Sequence, residues 1–377
     1  MTILISEHLT AVLSSVLKNN VLCNNISVTI ICRGPLSPNG FKMNVLTDNG
    51  SIDIRAVWFE NNCVKMIDQR ILPHKFEIIE FKNYLDVAEA IRNMTVRGAP
   101  AIGASAAYGM ALAYLQGADL TKAAADLKST RPTAFDLFYA VDRMLEAAEN
   151  KENLVDAANN YADKIVDKCR KIGEYGAELI SDGYVIMTHC NAGALATVDI
   201  GTALAPMRVA KSQGKNIFVY TSETRPRLQG MKLTAWELLN EGIPHKIIAD
   251  GASGAVMRKG VDMIIVGADR IAANGDFANK IGTYDKAVLA HELGIPFYVA
   301  APISTFDFSI ASGKEIVIED RSEEEVTEID GIRIAPEGCS ALNPSFDMSE
   351  AKYVKGFITE IGVLTPSEIG RLRKADI

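Results

Sequence analysis

No two of the six cysteines form a C-x-x-C pair: Cys23, Cys32, Cys63, Cys169, Cys190 and Cys339 are scattered. That suggests neither a disulfide framework nor a zinc site of the usual spacing, and it fits a reducing, cytoplasmic setting. Neither G-x-G-x-x-G after a first strand nor G-x-x-x-x-G-K-[ST] occurs, which disfavours dinucleotide and nucleoside-triphosphate sites. Basic residues are outnumbered 47 to 39, a net charge of −8. A general nucleic-acid or anionic-membrane surface needs the opposite balance, whereas a small phosphorylated ligand needs only a few local donors. The N-terminus lacks a basic start followed by a sustained apolar core, so no secretory signal is expected. Residues 98–116 are uncharged but Ala/Gly-rich, too weakly apolar for a membrane span and suited to a packed helix.

At 377 residues, two domains are expected after a short extension. Residues 1–46 show no chemistry. Ser6–Leu17 reads as a helix and Ser27–Cys32 as a strand, followed by a Pro/Gly turn, so this part is a small added subdomain or a loose extension. Residues 47–180 read as a small sheet and helical domain. Ile54–Phe59, Cys63–Ile67 and Phe76–Phe81 have the pattern of antiparallel strands, and a helix over Val87–Asn93 is capped by Asn83 or Asp86. Arg97-Gly98-Ala99-Pro100 then leads into a helix over Ala104–Leu115. A turn of this kind offers backbone N–H groups and a guanidinium to an anion. Arg131 precedes another helical pattern and is either a second anion donor or a solvated surface arginine.

Residues 181–377 read as a Rossmann-like α/β domain. Five apolar runs, Tyr184–Thr188, Asn216–Tyr220, His245–Ile248, Met263–Val266 and Phe297–Ala300, alternate with helical patterns, which predicts a doubly wound parallel sheet. The carboxyl ends of such strands collect on one edge, where open α/β sheets bind ligands. Cys190 follows the first run, Gln229 lies beyond the second, and Asp269, Asn279 and Lys280 follow the fourth. Taken alone, Cys190 reads first as a buried structural thiol and only second as one activated by a helix start; the convergence of polar groups reverses that order. His189 reads as a hydrogen-bonded structural neighbour.

The motifs R-G-A-P-A-I-G (97–103), T-H-C-N-A-G-A-L-A-T (188–197), E-T-R-P-R-L-Q-G (223–230) and G-A-D-R-I through A-N-K-I-G-T-Y (267–284) stand in one order, followed by A-P-E-G (335–338) and N-P-S-F-D (343–347). From about Ile54 onward the chain resembles the S-methyl-5-thioribose-1-phosphate isomerases of methionine salvage, a family that shares its fold with regulatory subunits of the translation-initiation exchange factor. The resemblance implies a homodimeric, cytoplasmic aldose–ketose isomerase acting on a sugar phosphate, with no metal and no organic cofactor. By matched motif it implies Cys190 and Asp269 as the catalytic pair, and Arg97, Gly98, Ala99, Arg131, Gln229, Asn279 and Lys280 as substrate contacts. Whether the hydrogen moves through a phosphoenolate or as a hydride stays open.

The chain departs from that pattern in its extension, in Asp250-Gly-Ala-Ser-Gly-Ala-Val-Met257, and in Pro206, which implies a kink or a later helix start. These departures touch the sugar's 5-substituent more than the isomerisation. 5-Deoxyribose 1-phosphate is therefore an alternative substrate. Ribose 1,5-bisphosphate is another, although relatives acting on it carry a His-Ser-Lys-like stretch where Asn191-Ala-Gly193 stands here. A non-catalytic regulatory subunit is the reading from a different class, and such subunits generally lack the Cys/Asp pair.

Overall fold

The computed structural model describes residues 42–47, 50–132 and 134–374. The helix and strand expected before residue 33 lie outside them. The described chain opens with a hairpin, β1 (Met43–Thr47) and β2 (Gly50–Ile54), paired from Met43 opposite Ile54. The sequence reading did not anticipate it. β3 (Val57–Glu60), β4 (Cys63–Ile67) and β5 (Ile78–Phe81) then form the expected antiparallel sheet.

Five helices follow: α1 (Tyr84–Arg92), α2 (Ala99–Leu115), α3 (Leu120–Lys128), α4 (Phe135–Glu149) and α5 (Leu154–Glu178). Asn83 caps α1 by accepting from the Leu85 N–H. α2 is apolar on every side, and its alanines bury against β3, β4 and the neighbouring helices. A helix without a polar face belongs at the centre of a layer. Its first turn has no side-chain cap, so its amino end is left open.

The second half carries the large sheet. β6 (Val185–Thr188) is followed by the short α6 (Ala194–Thr197) and by α7 (Ala205–Ser212). Next come β7 (Phe218–Ser222), α8 (Ala235–Asn240), β8 (His245–Ile248), α9 (Ser253–Met257) and β9 (Met263–Val266). Pro206 falls in the first turn of α7, so the helix starts late rather than kinking. β10 (Arg270–Ala272) and β11 (Phe277–Lys280) form a hairpin, followed by α10 (Thr283–Glu292), β12 (Phe297–Ala300) and β13 (Phe306–Asp307). The chain continues through α11 (Glu324–Thr327), the hairpin β14 (Glu328–Ile329) and β15 (Ile332–Arg333), then β16 (Phe346–Ser349), β17 (Gly356–Thr359) and β18 (Gly362–Leu364).

The large sheet has seven strands in the order β18-β17-β12-β9-β6-β7-β8, all parallel except β18. The five expected strands stand side by side from β12 to the edge strand β8, and the C-terminal hairpin β17–β18 adds two at the other edge. The chain moves from β6 outward to β7 and β8, then returns to β9 and moves the other way to β12 and β17. The crevice between β6 and β9 is therefore the topological switch point, where ligands bind in open sheets of this kind. Every residue of β9 is buried, as a strand covered on both faces requires. A second sheet, β13-β10-β11-β16, stands beyond the end of β9.

Candidate active site

β6 and β9 are hydrogen-bonded neighbours, and Cys190 and Asp269 leave their carboxyl ends. Both line one cavity of about 470 Å³. The two carboxyl-end groups thus meet at the switch point, on one edge of the sheet.

Cys190 has φ +62°, in the left-handed region that a residue with a side chain seldom occupies. Two threonines hold it there. The Cys190 N–H donates to Thr224 Oγ1 at 2.9 Å, and Thr234 Oγ1 donates to the Cys190 carbonyl at 2.6 Å. Next to it, Asn191 is the hub of a buried network. Its side-chain oxygen and its carbonyl each accept from Arg97, at 2.9 Å, and its amide donates to Thr234 at 3.1 Å and to Glu237 at 2.8 Å. The Glu237 carboxyl also accepts the Ala194 N–H at 2.7 Å and the Leu195 N–H at 3.3 Å, at the first turn of α6. Gly193 is required, because a Cβ there would stand 2.2 Å from Glu237 Oε2. Gly98 is required as well: its φ is +94° and a Cβ would meet the Ala196 carbonyl oxygen at 2.3 Å.

Burial pushes the Cys190 thiol upward, and Arg97 and Lys280 pull it back toward the thiolate. His189 is buried and held neutral far below its ordinary range. Its Nε2 lies 2.8 Å from the Ile281 carbonyl oxygen, consistent with a structural neighbour.

The opposite wall is built differently. The carboxyl of Asp269 opens onto the cavity and has no hydrogen bond or ion pair among the described residues. Arg270, which would have tied it down as a surface pair, instead faces Asp307 at 3.5 Å. Although its surface is open to the cavity, the surrounding protein strips water from Asp269 and raises its pKa, against the pull of Lys280, Arg97, Arg321 and Arg131. Lys280, on β11, is buried. Its Nζ donates to the Ser345 carbonyl at 2.8 Å and sits 4.4 Å from the centroid of the Phe346 ring, and burial lowers its pKa. Asn279 Nδ2 donates to Thr283 Oγ1 at 3.0 Å. Gln229, buried just ahead of a π-helical turn at Gly230–Thr234, has a side-chain oxygen with no partner among the described residues. Arg131 precedes α4 and borders the cavity, and among the described residues its guanidinium makes no hydrogen bond or ion pair. Gly98 and Ala99 bring the uncapped end of α2 to the same cavity.

All nine residues singled out in the sequence therefore border one cavity. The sequence reading missed Asn191, Thr224, Thr234 and Glu237, which position Cys190 and Arg97. It also missed Arg227 and Arg321, which line the cavity. Arg227 reaches across to Glu325 at 2.7 Å, Arg225 Nη2 donates to the Val326 carbonyl at 2.6 Å, and Lys232 pairs with Asp330. These contacts fasten the α11 and β14–β15 segment beside the cavity mouth. Among the described residues no cluster of His, Cys, Asp or Glu has the arrangement of a metal site, and no helix is long and apolar enough to cross a membrane.

Comparison with known proteins yields one family and a consistent set of relatives. The profile of the Initiation factor 2 subunit family matches residues 95–366. The methylthioribose-1-phosphate isomerase of Acetivibrio thermocellus is 50% identical over 333 residues, covering 83% of this chain and 97% of that protein. The crystal structure of 5-methylthioribose 1-phosphate isomerase from Pyrococcus horikoshii superposes with a TM-score of 0.80 at 47% identity, over 85% of this chain and 95% of that one. A crystal structure titled translation initiation factor eIF-2B, subunit delta, from A. fulgidus superposes with a TM-score of 0.79 at 45% identity, over 85% of this chain and 100% of that one.

Proposed function

Because the chain belongs to the Initiation factor 2 subunit family, we propose that it does what its curated relatives are named for. It is an aldose–ketose isomerase that converts S-methyl-5-thio-α-D-ribose 1-phosphate into S-methyl-5-thio-D-ribulose 1-phosphate in methionine salvage. The observation that carries the site assignment is the emergence of Cys190 and Asp269 from neighbouring strands into one cavity that also holds Arg131 and Lys280.

The substrate sets a specific problem. Its anomeric oxygen is esterified, so the ring cannot open to a free aldehyde. Asp269, whose protonated form is favoured by desolvation, gives a proton to the ring oxygen as the bond from C1 to the ring oxygen breaks. In the phosphoenolate route the Cys190 thiolate removes the C2 proton, a C1–C2 double bond forms, and a proton is returned at C1. The net change balances when the proton leaving the 2-hydroxyl replaces the one Asp269 gave up. In the hydride route the C2 hydrogen moves to C1 with its electron pair, and Cys190 only stabilises charge. Arg131, Lys280 and the open end of α2 hold the phosphate, while Gln229 and Asn279 orient the sugar hydroxyls. Arg97, committed to Asn191, acts mainly on the charge of the thiol.

We place the functional boundary near residue 180. The helical layer then supplies Arg97 and Arg131, and the sheet layer supplies the catalytic pair. We also propose a cytoplasmic homodimer. Leu46 and Leu239 are 51% and 65% exposed, and the Leu46 N–H donates to Asn240 Oδ1, the residue after Leu239; apolar side chains left in water here are what a second copy would cover. Light scattering on the purified chain tests the dimer, with a monomer at micromolar concentration as the contrary result.

The deciding experiment follows methylthioribose 1-phosphate and 5-deoxyribose 1-phosphate by proton NMR with purified protein. Ketose 1-phosphate formation, faster from the methylthio sugar, is expected. A chain that leaves both sugars and ribose 1,5-bisphosphate unchanged but retains a translation-initiation factor would instead be a regulatory subunit.

A further inference from the structure

The cavity contains more positive charge than the residues assigned to the substrate explain. The stretches 319–321 and 343–345 pair as short extended segments. The Ser345 N–H donates to the Glu319 carbonyl at 2.9 Å, the Arg321 N–H donates to the Asn343 carbonyl at 3.0 Å, and Asp320 bridges Pro344. This register carries Arg321 to the cavity wall, where its guanidinium stands 5.8 Å from the Phe346 ring that also receives Lys280. The Arg321 side chain is only 11% exposed. One nitrogen, Nη2, reaches Glu319 at 3.3 Å, and the buried Nε has no partner among the described residues. The nearby Glu325 carboxylate is already held by Arg227 at 2.7 Å and by Asn343 at 3.2 Å. Burying a guanidinium beside an ammonium, with its fork incompletely paired, is unfavourable unless an anion completes the set.

We infer that Arg321 is a further binding residue for the phosphoryl group, closing on it together with Arg131 and Lys280. The inference rests on the sugar-phosphate reading above. A planar guanidinium can donate two parallel bonds to phosphate oxygens, which a second lysine could not match. Arg321 also weakens the charged forms of Arg131 and Lys280 and favours ionised Asp269, which places it electrostatically among all three. A bound dianion would offset that mutual repulsion, and it would favour the protonated Asp269 that ring opening needs.

The test titrates inorganic phosphate into wild type, Arg321→Met and Arg321→Lys by calorimetry, and measures phosphate as a competitive inhibitor of sugar turnover. In Arg321→Met the phosphate Kd and the substrate KM should each rise about ten- to a hundredfold, with kcat changed less, as expected for losing a charge-assisted bond. Arg321→Lys should recover part of the loss. Phosphate affinity in Arg321→Met within twofold of wild type overturns the inference. Should Arg321→Met fail to fold, Glu319→Gln decides. Release of the guanidinium should hold or tighten phosphate binding, whereas a loss of melting temperature with weakened phosphate binding would make the Arg321–Glu319 pair purely structural. If wild type turns over no methylthioribose 1-phosphate, the proposed function fails, yet the phosphate titration still decides the role of Arg321.

Discussion

The two walls of the cavity are built on opposite principles. Around Cys190, nearly every polar group is committed: Thr224, Thr234, Asn191, Arg97 and Glu237 form one buried network that fixes a left-handed backbone. Around Asp269, polar groups are left open: among the described residues its carboxyl, the Arg131 guanidinium, the Gln229 oxygen and the Arg321 Nε have no partner. A satisfied network stiffens a site, whereas an unsatisfied one stores electrostatic free energy that only a ligand releases. One wall therefore holds the group whose position matters, and the other waits for the charge it will bind.

The largest expected effects come from removing the chemistry at either wall. Cys190→Ser and Asp269→Asn should each lower kcat about 10³- to 10⁴-fold in the NMR assay while leaving phosphate affinity near wild type. Turnover within tenfold of wild type in either variant removes that residue from the mechanism. Next in size is the support of the Cys190 wall. Glu237→Ala takes the acceptor from Asn191 and from two N–H groups of α6. It should cost about 2–4 kcal/mol in urea unfolding and about a hundredfold in kcat, with KM little changed. Glu237→Gln, which keeps an acceptor, should restore part of the kcat. A pure KM effect would mean that this wall binds rather than positions.

The pH profile of kcat/KM sharpens the contrast further. The productive form needs Asp269 protonated, so activity falls as pH rises through its elevated pKa. If Cys190 must also be a thiolate, activity additionally falls toward acid, and the profile is bell-shaped. A profile with no acid limb supports the hydride route, and so does a deuterium at C2 that is retained in the product.

The open wall was more legible in the sequence than the bonded one. Asp269, Asn279 and Lys280 lie within twelve residues, at the end of a recognisable strand. Cys190 was equally visible from the run that precedes it. Its supports were not. Glu237 stands 46 residues from Asn191 within Ala-Trp-Glu-Leu-Leu, where a carboxylate reads as an ordinary solvated helix residue. Only tertiary packing turns it inward. Arg321 is hidden for the same reason, because its position depends on pairing with a segment more than twenty residues away. The β1–β2 hairpin left a local signal, Asp48-Asn49-Gly50 between alternating apolar residues, which the reading passed over. The seventh and outermost strand of the large sheet is three residues long, too short for periodicity to register.

The smallest expected effect concerns a buried carboxyl behind the bonded wall. Asp199 follows α6 and is 1% exposed. It accepts from the Met43 N–H at 2.7 Å and the Ile200 N–H at 2.8 Å, with Arg208 at 3.8 Å. Burial outweighs these partners and raises its pKa to about 7. The folded protein therefore keeps a proton that the unfolded chain releases near pH 4. Between those values the native state binds the extra proton, so stability is full at the acid end and declines as pH climbs toward 7. Asp136 and Asp347, each raised to about 6, add slope of the same sign. Asp199→Asn should thus flatten the decline in urea stability between pH 5 and 8 by roughly 1–2 kcal/mol without abolishing it. An unchanged slope would mean that Arg208 and the two N–H donors satisfy the carboxylate in full, and that the bonded wall carries no electrostatic strain at its base.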